Sequence, residues 1–421
     1  MKSLSFIVLL ALIAGLGVGA WIRADGAAFT QAAEIVEAFG GLWLNALRMT
    51  VVPLVFSLLV TGIASVSDAA ATGRLAGRAV LLFAVLLVFA GLYGVFASQG
   101  ALALWPADQG AAAAFIAGAG GAGAELPPPP SFIVWLQGLA PANPVKAAAE
   151  TAILPLVVFA VFFGFAATRL EAGLRTPLVN LFRAVSEAMV VIVRWVLLAG
   201  PFGVFGLSLG VGLRAGLGAA GTLFQYVAIV SAVTLSVTIV AWLLALVFGR
   251  QNIGKFSAAA APVWAIAFST QSSLASLPAM IEAARNLAIP DRVTDLILPL
   301  AVAVFRFTSP VANLAVCFFL AHLYGIEPSA LQIAGAIVVA FGVSVGSVGL
   351  PGQISFIASV APISMALGVP IELLGILIAV EVIPDIFRTL GNVTGDLAAT
   401  AILARGENAE SRSRGSQKEP V

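Results

Sequence analysis

Six apolar runs, at roughly residues 4 to 22, 41 to 66, 77 to 104, 131 to 168, 179 to 212 and 219 to 249, fill most of the first 250 positions. Each is near or above the length of about 20 residues that a helix needs to cross a bilayer, so the pattern predicts six crossings in this half. Past that point the pattern changes. Two apolar stretches are interrupted by small polar residues, glycine and proline: STQSSLASLP at 269 to 278 and GSVGLPGQIS at 346 to 355. Non-helical backbone is tolerated at membrane depth only where it is buried in protein or lines an aqueous cavity. Each interruption therefore reads as the tip of a re-entrant hairpin, and their paired positions suggest an inverted repeat of hairpin followed by helix. Two kinked spanning helices, with their serines bonded to their own backbones, are the alternative. The Ala- and Gly-rich stretch between Trp105 and Ser131, which ends in four prolines from Pro127 to Pro130, is expected to be an irregular external loop serving as a spacer. From Gly406 onward the polar, aperiodic tail is expected to be disordered in the cytoplasm.

Composition turns these runs into a membrane protein. With 61% hydrophobic residues, 10% charged residues and a mean hydropathy of +1.07, the chain has too little polar surface to cover a soluble body of 421 residues. The formal net charge of +1 hides a pattern: Arg74 and Arg78, then Arg169, Arg175 and Arg183, then Arg250 and Lys255 lie in alternate connections, which should face the cytoplasm. The segment from Arg23 to Glu37 and the stretch from Trp105 to Pro130 then lie outside, with both termini inside and a bacterial inner membrane as the expected location. Residues 4 to 22 follow Lys2 as a signal peptide would, but the run is too long and many spans follow it. The one cysteine, Cys317, implies no disulfide framework, and the lone His322 reads as interfacial. There is no His/Cys metal cluster, no Gly-rich phosphate loop and no nucleophile with a base, so enzymatic activity and a cofactor have no support; nor is there a basic face for nucleic acid.

Within this apolar chain, residues 381 to 396 read EVIPDIFRTLGNVTGD. At about 100° per residue, Glu381, Asp385, Arg388, Thr389, Asn392 and Asp396 fall within about a third of a helix circumference, while Val382, Leu390 and Thr394 point elsewhere. Charge at membrane depth marks function by default.

The strings LNALRMTVVPLVFSLLVTGIASVSD (44 to 68), NPVKAAAETAILPLVVFAVFFGFA (143 to 166), AFSTQSSLASLP (267 to 278), GLPG (349 to 352) and DIFRTLGNVTGD (385 to 396) occur in that order. Together they resemble the dicarboxylate/amino acid:cation symporter family, the glutamate transporter homologues, from about residue 4 to 405. The resemblance implies an all-α homotrimer with eight transmembrane helices plus two re-entrant hairpins in each chain. It implies scaffold helices in 1–70 and 131–215, a transport domain in 71–105 and 219–405 that moves as an elevator, hairpins near 256–286 and 332–369, an external loop at 106–130 and a free tail at 406–421.

It also implies a substrate site. Arg388 stands where the family's arginine forks onto a side-chain carboxylate, and Asp385 where the family accepts the substrate's α-amino group. Thr389 and Asn392 match positions for the amino group and α-carboxylate; Ser272 and Ser273 at one hairpin tip, and Gly349, Pro351 and Gly352 at the other, add hydroxyl and backbone contacts. That set implies an acidic amino acid, aspartate or glutamate. The plainer reading is that Asp385 and Arg388 neutralise each other at i, i+3.

The departures concern the ion. The family's Asn-Met-Asp-Gly motif, which coordinates sodium, corresponds here to Phe305, Arg306, Phe307 and Thr308, and its Tyr-x-x-Thr-Ser cluster to Phe83, Leu86 and Leu87. Aromatic rings cannot supply the oxygens a hard cation needs, so no metal site is expected. Asn392 and Asp396, the residual sodium-site positions, remain, and Arg306 is read as a tethered positive charge that replaces the ion beside Asp396. Alternatively Arg306 snorkels to an interface or lines a water-filled path. Proton coupling through Glu381 or Asp396, exchange and facilitated diffusion all stay open. So do a proton- or sodium-coupled C4-dicarboxylate symporter, which Asp385 disfavours, and a receptor or anion pore that binds without transport.

Overall fold

The computed structural model describes residues 2–25, 29–71, 73–118, 132–216, 218–346 and 352–416, and no strand occurs among them. The chain begins with α1 (Lys2–Asp25), α2 (Thr30–Arg48), α3 (Val51–Ala71) and α4 (Arg74–Leu104). A group of shorter helices follows: α5 (Gln109–Gly118), α6 (Phe132–Gly138), α7 (Pro144–Ala149) and α8 (Ile153–Thr168). Then come α9 (Ala172–Leu198), α10 (Gly200–Ala215) and α11 (Gly218–Val247). The last part holds α12 (Ile253–Thr270), α13 (Ser273–Asn286), α14 (Asp291–Val304), α15 (Ser309–Leu323), α16 (Ala330–Gly346), α17 (Gly352–Leu367), α18 (Leu374–Leu377) and α19 (Val382–Ser416). Five helical segments are long and apolar enough to cross a membrane, and a sixth if α9 and α10, bent by 61°, count as one span.

Several boundaries differ from the sequence reading, each for a local reason. The segment from Arg23 to Glu37 is more than a connection, because α2 starts at Thr30. Its buried Ala33, Gly40, Trp43, Leu44 and Leu47 share one face, with Glu37 at the edge of that face against Arg214 and Glu34 exposed, so it is amphipathic and never registers as an apolar run. The run 41 to 66 is broken where α2 gives way to α3 at Met49 and Thr50. The run 131 to 168 divides into α6, α7 and α8, since Asn143 caps α7 by accepting from the backbone N–H of Val145 and Lys146, and Pro144 cannot continue a preceding helix. The run 179 to 212 divides at Ala199, ahead of Gly200 and Pro201.

The expected loop at 106–130 contains α5, whose Phe115 is fully buried. An alanine-rich segment keeps its helical propensity when one aromatic side chain anchors it, and Arg214 donates to the Gly118 carbonyl at 2.8 Å to close the last turn. The four-proline segment lies outside the described residues. At the other end, α19 continues past Gly406 to Ser416, through residues that include good helix formers.

In packing, α1 and α2 lie against α10, α3 lies against α8 and α9, and α4, α11, α12, α13, α14 and α15 surround α19. The α1–α10 contact needs glycine: a Cβ on Gly19 would stand 2.3 Å from the Leu209 carbonyl oxygen, and one on Gly212 2.4 Å from that of Leu16. Small residues that let helix backbones touch are the usual device for packing inside a bilayer.

Candidate functional site

Two helix interruptions among the described residues lie against the first turns of α19. Between α12 and α13, Gln271 adopts a left-handed conformation (φ 53°) and Ser272 caps α13, its hydroxyl oxygen accepting from the Ala275 N–H at 3.2 Å. The Gln271 amide donates to the Val382 carbonyl at 3.4 Å, tying this break to the first turn of α19. Between α14 and α15 the chain leaves helical geometry at Phe305 and re-enters it after Thr308, where Pro310 suits the first turn of α15. The third interruption, between α16 and α17, holds Gly349 and Pro351, which lie outside the described residues; Gly352 begins α17.

The expected polar stripe faces inward: Glu381, Arg388, Thr389, Asn392 and Asp396 are all buried, and Asp385 is half-buried. Arg388 lies at its centre. Its Nη1 donates to Asn313 Oδ1 at 2.6 Å, and its Nη2 lies 2.7 Å from Glu381 Oε1, a charge contact off the hydrogen-bonding line. Tyr226 donates its hydroxyl to Glu381 Oε2 at 2.6 Å, and Asn313 in turn donates to Ser309 Oγ at 3.2 Å. Among the described residues, Nε and Nη2 of Arg388 have no hydrogen-bond partner. On the Nε/Nη2 edge of the guanidinium, Nη2 thus faces Glu381 and Nε is unmatched, so a solute carboxylate that gripped both N–H groups would have to displace Glu381 from Nη2.

Asn392 locks the second break. Its Oδ1 accepts from the Thr308 backbone N–H at 3.0 Å and from the Thr308 hydroxyl at 2.8 Å, and that hydroxyl also lies 2.8 Å from the Arg388 carbonyl. Free N–H groups at a helix start are thus answered by protein. Thr389 donates to the Asp385 carbonyl at 3.0 Å, within its own helix. Ser272 and Ser273 are half-buried.

At the positions expected to correspond to the family's ion motifs, the rings of Phe83 and Phe305 stack face to face, centroids 4.5 Å apart and planes 12° apart, and Phe307 packs against Phe305 at 5.8 Å. Arg306 between them is half-buried and lies in electrostatic range of Asp385, Arg388 and Asp396. Asp396 is buried, and neither of its carboxylate oxygens has a hydrogen-bond partner among the described residues. Arg306 and Asp396 thus lie within electrostatic range of each other, with no hydrogen bond to the carboxylate.

Two members of this network, Tyr226 and Asn313, lie outside the polar stripe. Each is a buried polar residue in a largely apolar helix that holds other polar side chains, and the cost of burying such a group is the one signal that could have pointed to them.

An all-helical body with spans of bilayer length, enclosing an arginine and three carboxylates among broken helices, is that of an integral membrane transporter. The chain belongs to the sodium:dicarboxylate symporter family, whose sequence profile matches residues 4–406. It is 27% identical to a proton/glutamate-aspartate symporter of Escherichia coli, over 96% of this chain and 93% of that protein. It is 26% identical to a proton/sodium-glutamate symport protein of Geobacillus stearothermophilus, over 98% and 97%. It is also 30% identical to human neutral amino acid transporter A, over 96% of this chain and 81% of that one. The protein is a secondary transporter and not an enzyme.

Proposed function

We propose that this transporter carries acidic amino acids, aspartate or glutamate, and does so without the family's usual sodium sites. The observation that carries the substrate class is the buried guanidinium of Arg388, its Nε without a hydrogen-bond partner among the described residues and its Nη2 facing Glu381, one turn after Asp385 on the same helix. Arg388 takes the side-chain carboxylate; Asp385 takes the α-amino group; Thr389, Asn392, Ser272, Ser273 and the Gly349–Gly352 segment complete the site. The Phe83–Phe305 stack supports the loss of sodium, because two touching rings leave neither oxygen ligands nor room for an ion. Arg306 supplies the positive charge in its stead, facing Asp385 and Asp396.

We infer an elevator mechanism as well. The helices 71–105 and 219–405 form the moving body, with hairpins α12–α13 and α16–α17 among eight spanning helices, and 1–70 with 131–215 the scaffold of a homotrimer in the bacterial inner membrane, both termini cytoplasmic. It is supported by the grouping of α4 and α11 to α15 around α19, while α1 and α2 pack on α10.

A second reading, transport of neutral amino acids, has one observation in its favour: Glu381 already lies against Arg388 at 2.7 Å and cancels its charge. Uptake of labelled aspartate, glutamate, serine and alanine into proteoliposomes separates the two, with sodium present or replaced by choline and a proton gradient imposed or absent. Sodium-independent uptake of aspartate or glutamate is the expected result. Serine or alanine uptake that aspartate does not inhibit would establish the second reading, and strict sodium dependence would overturn the loss of the ion sites.

A further inference from the structure

The face of α19 that turns away from Arg388 borders a gap. Leu390 and Thr394 form its floor, Leu235, Ile239 and Trp242 of α11 one wall and Trp264 of α12 the other, around a cavity of about 450 Å³. The gap exists because α11 and α12 both rest on α19 while barely touching each other.

Its polar groups are already engaged. Trp264 donates its indole N–H to Thr394 Oγ1 at 2.9 Å, and Trp242 donates to Ser257 Oγ at 3.1 Å. The hydroxyl of Thr394 donates to the Leu390 carbonyl at 2.7 Å, and that of Thr238 to the Thr234 carbonyl at 3.0 Å. What faces the gap is hydrocarbon and aromatic ring, a surface that offers water and polar solutes nothing and that suits an apolar guest.

The source of that guest is adjacent. On α11, Leu235, Ile239, Leu243 and Val247 recur every fourth residue and are all exposed, and Phe268 is exposed on α12. Since α11 is long and apolar enough to span a membrane, this strip faces lipid and runs directly into the gap. We propose that one phospholipid acyl chain seats between α11 and α12 against Leu390 and Thr394. The volume suffices, at about three times the 150 Å³ that admits a benzene ring in an apolar protein cavity. The seat matters for transport because α12 borders it and ends at Gln271, whose amide holds the first turn of the polar helix. Lipid at the flank of α12 and solute near its tip then share one helix.

Two measurements on the full chain test this together. In nanodiscs of phosphatidylcholine brominated at mid-chain, bromine quenches only tryptophan it touches. The share of Trp264 among the seven tryptophans is the difference between wild type and Trp264→Phe, and it should fall several-fold relative to unbrominated lipid. In native mass spectrometry from detergent, wild type should retain one phospholipid per chain and Ile239→Trp, which fills the gap, should lose it. An unquenched Trp264, as expected if a second protein chain covered the gap or if it stood empty, overturns the proposal. Equal retention by wild type and Ile239→Trp, or none by either, overturns it as well. The quenching comparison stands even if Ile239→Trp fails to fold.

Discussion

The hydroxyl of Tyr226 is the far end of a chain of contacts that runs through Glu381 to Arg388 and on to Asn313. A hydrogen bond to a charged, buried acceptor contributes about 1.5–3 kcal/mol, so Tyr226→Phe should lower the thermal midpoint of the detergent-solubilised protein. It should also weaken substrate binding through the loosened guanidinium. A midpoint and affinity equal to wild type would mean that Glu381 holds Arg388 without help. Arg306→Met keeps the length of the side chain and removes its charge. If that charge stands in for an ion, the substitution should weaken binding of an acidic amino acid at least tenfold in calorimetric titration, and wild-type affinity would end the idea. Arg388, Glu381 and Asp396 were legible in the sequence because charge is conspicuous among apolar neighbours. Tyr226 and Asn313 were not, since an uncharged polar side chain among others in an apolar helix looks the same whether it meets a distant partner or its own backbone.

At the scale of elements, the α14–α15 break and the polar helix fit only because α19 has glycine where they meet. A methyl on Gly391 would stand 2.2 Å from Thr308 Cγ2 and 2.5 Å from Thr238 Oγ1. Overpacking of this kind costs about 1–3 kcal/mol, and Gly391→Ala should reduce both stability and transport. Adding Thr308→Ser, which deletes the offending methyl and keeps the hydroxyl bonds to Asn392 and Arg388, should restore part of the loss; no recovery would place the strain at Thr238. The interruption at Gln271 was expected from the polar residues inside an apolar run, whereas the one at Phe305 sits in a stretch noticed only for its likeness to the family's ion motif. The division of 131 to 168 and of 179 to 212 could not be read from hydropathy, which is blind to direction: a helix that bends at Ala199 is as apolar as one that continues. The helix α2 was hidden for the opposite reason, its polar face diluting the apolar one.

For the whole molecule, one ion pair joins the two groups of helices near the start of α18. Arg48 of α2 lies 2.9 Å from Glu372, each side chain about a third exposed (30% and 32%). A pair so placed contributes about 0.5–1 kcal/mol, and if the groups slide past each other it must break in every cycle. Either single reversal, Arg48→Glu or Glu372→Arg, should change the uptake rate two- to five-fold, and the swapped double variant should return towards wild type. Independent, additive effects would show that the pair does not report on the motion. Membrane class and the family's motif order were legible along the whole chain, whereas this contact joins residues 324 positions apart and belongs to the packing alone. The stack of Phe83 on Phe305 has a consequence at the same scale. If no ion binds there, the two rings offer the membrane voltage no charge to pull on, and Arg306 beside them carries a fixed one. Whatever current accompanies a turnover must then come from the solute and from the ionised groups around α19.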